Sequence, residues 1–106
     1  MTIKVVLCTA PSEEVAHDIA KQLVESKLAA CVNIIKGVQS VYAWEGSIHT
    51  DTECQLVIKT ISQYVLEAYD KVSELHPYDV PEWLELNAEA SHSYGTWLQQ
   101  YLQSTK

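Results

Sequence analysis

The apolar residues of the chain recur in short blocks whose spacing predicts strands and helices. Residues 3–9 form a β-branched apolar run, which is typical of a buried strand. Ser12, followed by two glutamates, marks the start of a helix that extends to about Lys27. Residues 30–44 are rich in Val and Ile and contain no proline, so they predict one long strand with a bulge at Gly37.

A long hairpin follows, because a turn over residues 45–50, centred at 46–47, leads into a returning strand at 54–60 that begins near His49. A strand of about 15 residues extends roughly 50 Å. A compact domain of this size has a radius of gyration of only about 13 Å. The hairpin must therefore bend or protrude, and a protruding apolar ribbon predicts that another subunit covers it.

The remaining blocks predict a helix, a strand and a last helix. Ser62 is the predicted N-cap of the helix, whose buried face includes Val72 together with Ala68 or Tyr69, and Pro77 ends it. Residues 83–88 alternate between apolar and polar, as in a half-buried strand whose inner side carries Leu84, Leu86 and Ala88. The last helix starts near residue 91 or 93.

The order strand, helix, strand, strand, helix, strand, helix predicts an α+β fold. It is the βαββαβ order of a ferredoxin-like sandwich, with an antiparallel sheet, helices on one face, an extended β-hairpin and an additional C-terminal helix. No shift in composition divides the chain, so residues 1–106 are expected to form a single domain.

Composition narrows the possible partners. The formal net charge is −7, and the seven basic residues are scattered, which disfavours a nucleic-acid partner. No stretch approaches the roughly 20 apolar residues that span a bilayer, and the N-terminal run VVLC is too short for a signal peptide. We expect a cytoplasmic protein with no membrane contact.

The three cysteines, Cys8, Cys31 and Cys54, leave at least one thiol unpaired, and none belongs to a CxxC motif. In the predicted hairpin Cys31 lies opposite about Ser62 and Cys54 opposite about Gln39, so a bridge between these two is geometrically poor. GxSxG, HExxH and phosphate-binding glycine motifs are also absent. We therefore expect free thiols in a protein that is not an enzyme. The alternative is a catalytic Cys–His pair built from Cys8 or Cys31, for which the sequence contains no local signature.

Two groups of residues could bind a metal ion. Cys8, near the end of the first strand, and His76, at the end of the second helix, are soft donors suited to copper or zinc. The alternatives are a buried small side chain for Cys8 and a helix cap for His76. The second group is His49, Asp51 and Glu53, which share one face of the ribbon but stand too far apart to converge. A solvated hairpin face is the favoured interpretation of that group.

The segment HPYDVPEW at residues 76–83 combines two prolines with aromatic, acidic and imidazole side chains. It could be a stiff corner between a helix and a strand, or it could line a ligand cleft together with the ribbon. The expected cleft residues are Trp44, Glu45, Lys59, Tyr78, Asp79, Glu82 and Trp83.

Longer segments of the chain closely resemble the CutA family of divalent-cation tolerance proteins. The resemblance rests on KLAACVNIIKGVQSVYAWEG, LVIKT and ELHPYDVPE and extends over nearly the whole sequence. It implies a ferredoxin-like subunit in a homotrimer whose long hairpins pair across subunits, and a link to tolerance of copper and other divalent metals. It also implies similarity to PII-type signalling proteins, which bind small ligands between subunits.

The resemblance further implies a copper site that uses the cysteine of the CTAP motif, here Cys8, and histidines before PY, here only His76. Leu75 stands where some members have a second histidine, so a further ligand has to come from elsewhere. Ala90 and Gly95 also depart from the family pattern.

We therefore expect a metal-responsive homotrimer that binds copper through Cys8 and His76. The alternatives are a PII-like module with a small ligand in the cleft, and a structural trimer without a ligand.

Overall fold

The structure, a computed structural model, describes residues 2–104. Its elements follow the predicted order, with a short 3-10 helix at Ser62–Tyr64 before the second α-helix. The elements are β1 (Ile3–Ala10), α1 (Glu13–Glu25), β2 (Cys31–Trp44), β3 (Ser47–Ile61), α2 (Val65–Leu75), β4 (Leu84–Ala88) and α3 (His92–Gln103). The sheet order is β2-β3-β1-β4, and every pairing is antiparallel. The α+β class is thus confirmed.

Helices α1 and α2 cover one face of the sheet. Ser12 caps α1, because its Oγ accepts a hydrogen bond of 3.2 Å from the Val15 amide. The buried face of α1 packs with α2 against even-numbered strand residues, as alternation along β1 and β3 requires. Of the two residues considered for the inner face of α2, Ala68 is fully buried and Tyr69 is 38% exposed.

Helix α3 packs on the opposite face of the sheet, at one end. Its Leu98 and Leu102 form a second small core with Ile61, to which Ile3 adds partly buried surface. Ile3 and Ile61 are a register pair whose side chains point away from α1 and α2. The expectation that the helices share one face is therefore wrong for α3.

Within residues 2–104, no helix covers the rest of that opposite face, which we call the open face. Leu84 and Leu86 of β4 lie on it and are 55% and 50% exposed, while Ile35 of β2 is 50% exposed. The prediction that β4 buries one side is thus not met within one chain. The reason is the topology of the sheet. Strand β4 is an edge strand that pairs with β1 alone among the described strands, and α3 covers only the end of the sheet near Ile3 and Ile61. The open face consists of Val5, Leu7, Ile35, Val57, Leu84 and Leu86.

The hairpin of β2 and β3 projects from the body as a ribbon, which gives the molecule a longest dimension of 44 Å. A bulge between Ile35 and Val38 contains Gly37 at φ 70°, so the predicted bulge is confirmed. The turn is tighter than predicted, since Trp44 already pairs with Ser47. This shorter turn and the bulge shift the register, so that Cys31 faces Lys59 rather than Ser62.

Two further sequence expectations are settled here. All three cysteines are free, as expected. Ser62 begins the 3-10 helix and makes no side-chain capping hydrogen bond, so its predicted N-cap role is wrong. Within residues 2–104, no helix is both long and apolar enough to cross a membrane.

Candidate functional site

Cys8 and His76 meet at Thr9, where β1 ends beneath the loop that follows α2. The Cys8 side chain is fully buried, and its Sγ lies 3.6 Å from the Thr9 carbonyl oxygen. His76 is 8% exposed, and its Nε2 lies 2.7 Å from the same oxygen. Pro77 helps to place the ring, because α2 ends there and the chain turns back over β1. Both predicted metal ligands therefore contact the same carbonyl oxygen.

The hydrogen bonds and the burial of Cys8 and His76 indicate which of their atoms carry protons. A carbonyl oxygen only accepts, so His76 Nε2 carries the proton and donates it to Thr9. Nδ1 then accepts a hydrogen bond of 3.1 Å from the Tyr78 amide, which occupies the second ring nitrogen. Burial raises the pKa of the Cys8 thiol to about 12, and the charges of Glu82 and Glu53 add to the shift. The pair is neutral in this arrangement.

Few side chains near the Thr9 carbonyl oxygen could act as ligands to a metal ion. Within residues 2–104, no group of three or more His, Cys, Asp or Glu side chains is arranged to hold a metal ion. Cys8 and His76 supply two soft donors, one of which is protonated and the other hydrogen-bonded at both nitrogens. Residues 2–104 of one chain therefore do not by themselves supply three donors to a metal ion.

The ribbon residues His49, Asp51 and Glu53 divide into two environments. His49 and Asp51 are exposed, and Tyr42 contacts both by stacking on the imidazole and donating its hydroxyl proton to the carboxylate. Glu53 is only 7% exposed and accepts a hydrogen bond of 2.8 Å from the Tyr78 hydroxyl. The expectation of a solvated face is wrong for Glu53, because the loop after α2 folds over this part of β3.

A cavity of about 590 Å³ lies between the ribbon and that loop. It brings together Trp44, Tyr78, Asp79 and Glu82 from the sequence-predicted cleft. Gln55 fixes one wall, because its Nε2 donates to Glu82 Oε1 at 3.1 Å and to the Cys8 carbonyl at 3.0 Å. The lining residues are Thr9, Ser40, Val41, Tyr42, Trp44, Glu53, Tyr78, Asp79, Val80 and Glu82.

The other predicted cleft residues lie elsewhere. Glu45 occupies the turn at the ribbon tip. Lys59 lines a smaller hollow of about 280 Å³ beneath α3. Trp83 is partly buried against the main core, with its ring edge-on to Tyr69 at 5.3 Å. A cleft that joins all seven residues is therefore not formed within one chain.

Sequence reasoning missed Thr9, Tyr42 and Glu53 as cavity residues. Thr9 and Glu53 are close because Thr9 pairs with Gln55, two positions along β3. Tyr42 comes near because β2 pairs with the same strand. The signal that could have found them is the strand register, which depends on the turn and the bulge.

Burial and hydrogen bonding also raise the pKa of a side chain that lines the cavity. Desolvation, together with the hydrogen bond to Glu53, holds the pKa of the Tyr78 hydroxyl above its ordinary value. Tyr78 therefore remains a proton donor to Glu53 at neutral and mildly alkaline pH.

Comparison with known proteins identifies close relatives. The family of the CutA1 divalent ion tolerance protein matches residues 4–101. The divalent-cation tolerance protein CutA of Thermus thermophilus is 48% identical over 98 residues, which cover 92% of this chain and 95% of that protein. The crystal structure of CutA1 from Oryza sativa superposes with a TM-score of 0.93 at 37% identity, covering 99% of this chain and 97% of that chain. The periplasmic divalent cation tolerance protein CutA from Archaeoglobus fulgidus gives a TM-score of 0.92 at 36% identity, covering 95% and 99%.

Proposed function

The chain belongs to the CutA1 family of divalent ion tolerance proteins, and we propose that it acts in the response to metal ions as a homotrimer that binds copper at Cys8 and His76. One observation carries this site: both side chains contact the Thr9 carbonyl oxygen, at 3.6 Å and 2.7 Å. Thiolate sulfur and imidazole nitrogen are donors suited to copper. The activity that such a site supports is sequestration or sensing rather than catalysis.

Copper binding requires two changes in the chain's own groups. The Cys8 thiol must lose its proton, and His76 must release one backbone hydrogen bond to free a ring nitrogen. A thiolate favours Cu(I), whereas Cu(II) can oxidise it. Any further donor would come from a neighbouring subunit, since residues 2–104 of one chain hold no group of three donors.

An anaerobic Cu(I) titration against a chelator of known affinity tests the site. We expect about one copper per subunit and an affinity that falls at least about tenfold in Cys8→Ser and in His76→Ala. Because the thiol proton must leave, the affinity should rise by about tenfold per pH unit between about pH 6 and pH 8.

Cys31→Ser and His17→Ala are the matched controls, since they remove a thiol and an imidazole outside the site. Both controls should bind copper like the wild type. An affinity that is unchanged in Cys8→Ser, or that does not vary with pH, would contradict the proposed ligands.

The homotrimer is supported by the open face. Three of its apolar side chains, Ile35, Leu84 and Leu86, are about half exposed in the single chain, and many residues of the ribbon are also exposed. Ile48 and Val41 near the ribbon tip are 74% and 68% exposed. Apolar surfaces of this kind normally contact another protein. A second and third copy of this chain, with open faces turned inward, would cover them.

We also propose that the protein is located in the cytoplasm, that it has no nucleic-acid partner and that it is not an enzyme. Three free thiols suit a reducing compartment. The relatives are named as tolerance proteins rather than as enzymes. Fractionation of cells that express the full chain tests the location, and recovery with periplasmic markers would contradict it.

A second candidate function is a PII-like module that binds a small ligand, and the cavity supports it. Ligand pockets usually enclose about 300–1,000 Å³, and this cavity of about 590 Å³ has Trp44 in its wall. Metal-independent quenching of tryptophan fluorescence by a metabolite, reduced in Trp44→Leu but not in Trp97→Leu, would support it. If the trimer binds neither copper nor a metabolite, a structural role is the remaining candidate function.

A further inference from the structure

The cavity between the ribbon and the loop after α2 contains a carboxylate whose charge is not balanced by the described residues. Glu53 is 7% exposed, and Tyr78 donates a hydrogen bond to its Oε2. Its Oε1 has no hydrogen bond among residues 2–104, and because no fully buried side-chain oxygen or nitrogen of these residues lacks a partner, this oxygen is open to the cavity. The ion pairs within these residues involve other carboxylates, namely Glu13, Glu25 and Glu85. A buried carboxylate without a cation is unfavourable, so this position calls for a positive group from outside the chain.

The walls of the cavity suit an organic cation. Tyr42, Trp44 and Tyr78 contribute aromatic rings, and Val41 and Val80 contribute apolar surface. The two tyrosine hydroxyls are directed to Asp51 and Glu53, which fixes the orientation of the rings. Aromatic faces attract ammonium groups, and the attraction grows when the site excludes water.

We infer that this cavity binds a primary ammonium compound with an apolar or aromatic body, its N–H groups donating to Glu53 and its body lying against Tyr42 and Trp44. The inference rests on the second candidate function and names the chemical class of the ligand. A primary ammonium fits better than a quaternary one, because it can donate a hydrogen bond to Glu53 Oε1.

An anionic ligand lacks the groups that would recognise it. The chain has no arginine, and its seven basic residues are all lysines. Within residues 2–104, none of these lysines lines the cavity, and Lys59 lines the smaller hollow beneath α3 instead. A phosphate or carboxylate would therefore meet Glu53 and Glu82 without a compensating positive charge.

An inorganic divalent cation is also a poor match. Such ions require several oxygen ligands that converge at about 2.0–2.6 Å. Residues 2–104 contain no group of three acidic, His or Cys side chains arranged in this way. The volume of about 590 Å³ is also far larger than a single ion needs.

Three probes with the same phenyl body separate charge from shape: benzylammonium, benzyl alcohol and benzoate. Their binding to the full chain is measured by calorimetry, with tryptophan fluorescence as a second readout. We expect benzylammonium to bind about tenfold more tightly than benzyl alcohol and benzoate to bind more weakly still. Glu53→Gln keeps the shape and the hydrogen bond from Tyr78, so it should abolish the preference for the ammonium probe.

Glu25→Gln is the matched control, because Glu25 is exposed on α1 and pairs with Lys21. It should leave all three affinities unchanged. If Glu53→Gln does not fold, Glu82→Gln is the second variant. It removes a negative charge from the same cavity at a residue that is less buried than Glu53. Equal affinity for benzylammonium and benzyl alcohol, or no ammonium binding at all, would overturn the inference.

Two outcomes separate this inference from the function on which it rests. If benzoate or a nucleotide binds in the cavity and the ammonium probe does not, the ligand class is wrong but the ligand-binding function stands. If none of the organic probes binds, both the ligand class and the ligand-binding function are overturned. This holds whether the cavity is occupied by Mg²⁺ or by a lysine of a neighbouring subunit.

Discussion

His76 shows how the partners of a single side chain determine its chemistry. Its imidazole could act as a helix cap or as a metal ligand, and the structure uses both ring nitrogens in backbone hydrogen bonds at 2.7 Å and 3.1 Å. In that state it ties the loop after α2 to the end of β1. Copper binding would therefore be coupled to movement of this loop, which also forms one wall of the cavity.

Gly95 provides a prediction at the scale of one residue. It lies inside α3, where a Cβ atom would meet Ala90 Cβ at 3.6 Å and Ile3 Cδ1 at 3.7 Å, which are ordinary contacts. Gly95→Ala should therefore stabilise the protein by about 1 kcal/mol through helix propensity. Thermal unfolding at a fixed protein concentration measures the change.

Gly37→Ala is the matched control for this substitution. Gly37 has φ 70° in the bulge of β2, where an L side chain is strained. The control should lower the midpoint of unfolding. A Gly95→Ala protein that is no more stable than the wild type would show that the added methyl group does not fit beside Ala90 and Ile3.

At the scale of elements, the ribbon depends on three backbone positions with positive φ. Gly37 forms the bulge, and Glu45 and Gly46 form the two-residue turn with φ 49° and 79°. This pattern is that of a type I′ turn, in which both central residues are left-handed. The turn and the bulge together set the register of β2 against β3, and so place Tyr42 near Glu53.

Glu45 is the unfavourable residue of this turn, since a non-glycine residue in the left-handed region is strained and Asn tolerates it better. Glu45→Asn should stabilise the protein by about 1 kcal/mol. Thr50→Asn, at an extended position of β3, is the control and should give no gain. Thermal unfolding again reports both, and a destabilised Glu45→Asn protein would argue that Glu45 contacts another subunit.

At the scale of the whole molecule, the sheet is covered on one face and largely bare on the other. Helices α1 and α2 bury one side, while α3 covers only the end near Ile3 and Ile61. Leu86 illustrates the consequence, because it lies in an edge strand with half of its surface in solvent. Within residues 2–104 no further element covers it, so the proposed association would supply the missing layer.

Leu86→Glu tests this association. If the open face is buried between subunits, an unpaired carboxylate there should shift the protein from trimer to monomer. Leu66→Glu is the control, because Leu66 is 73% exposed on α2, away from the open face. Light scattering after size-exclusion chromatography gives the mass of each protein. A Leu86→Glu protein that remains trimeric would contradict the proposed interface.

The sequence by itself determined the order of the elements, the long ribbon with its bulge at Gly37 and the free cysteines, because these follow from local periodicity, glycine content and cysteine spacing. It also identified Trp44, Tyr78 and Glu82, whose neighbours in the chain form distinctive motifs. Tertiary structure alone decided that α3 covers the second face, that Lys59 and Trp83 lie outside the cavity and that Glu53 is buried. The physical reason is that strand register and loop packing join residues far apart in sequence, and a shift of two residues at one turn changes every pair along the ribbon.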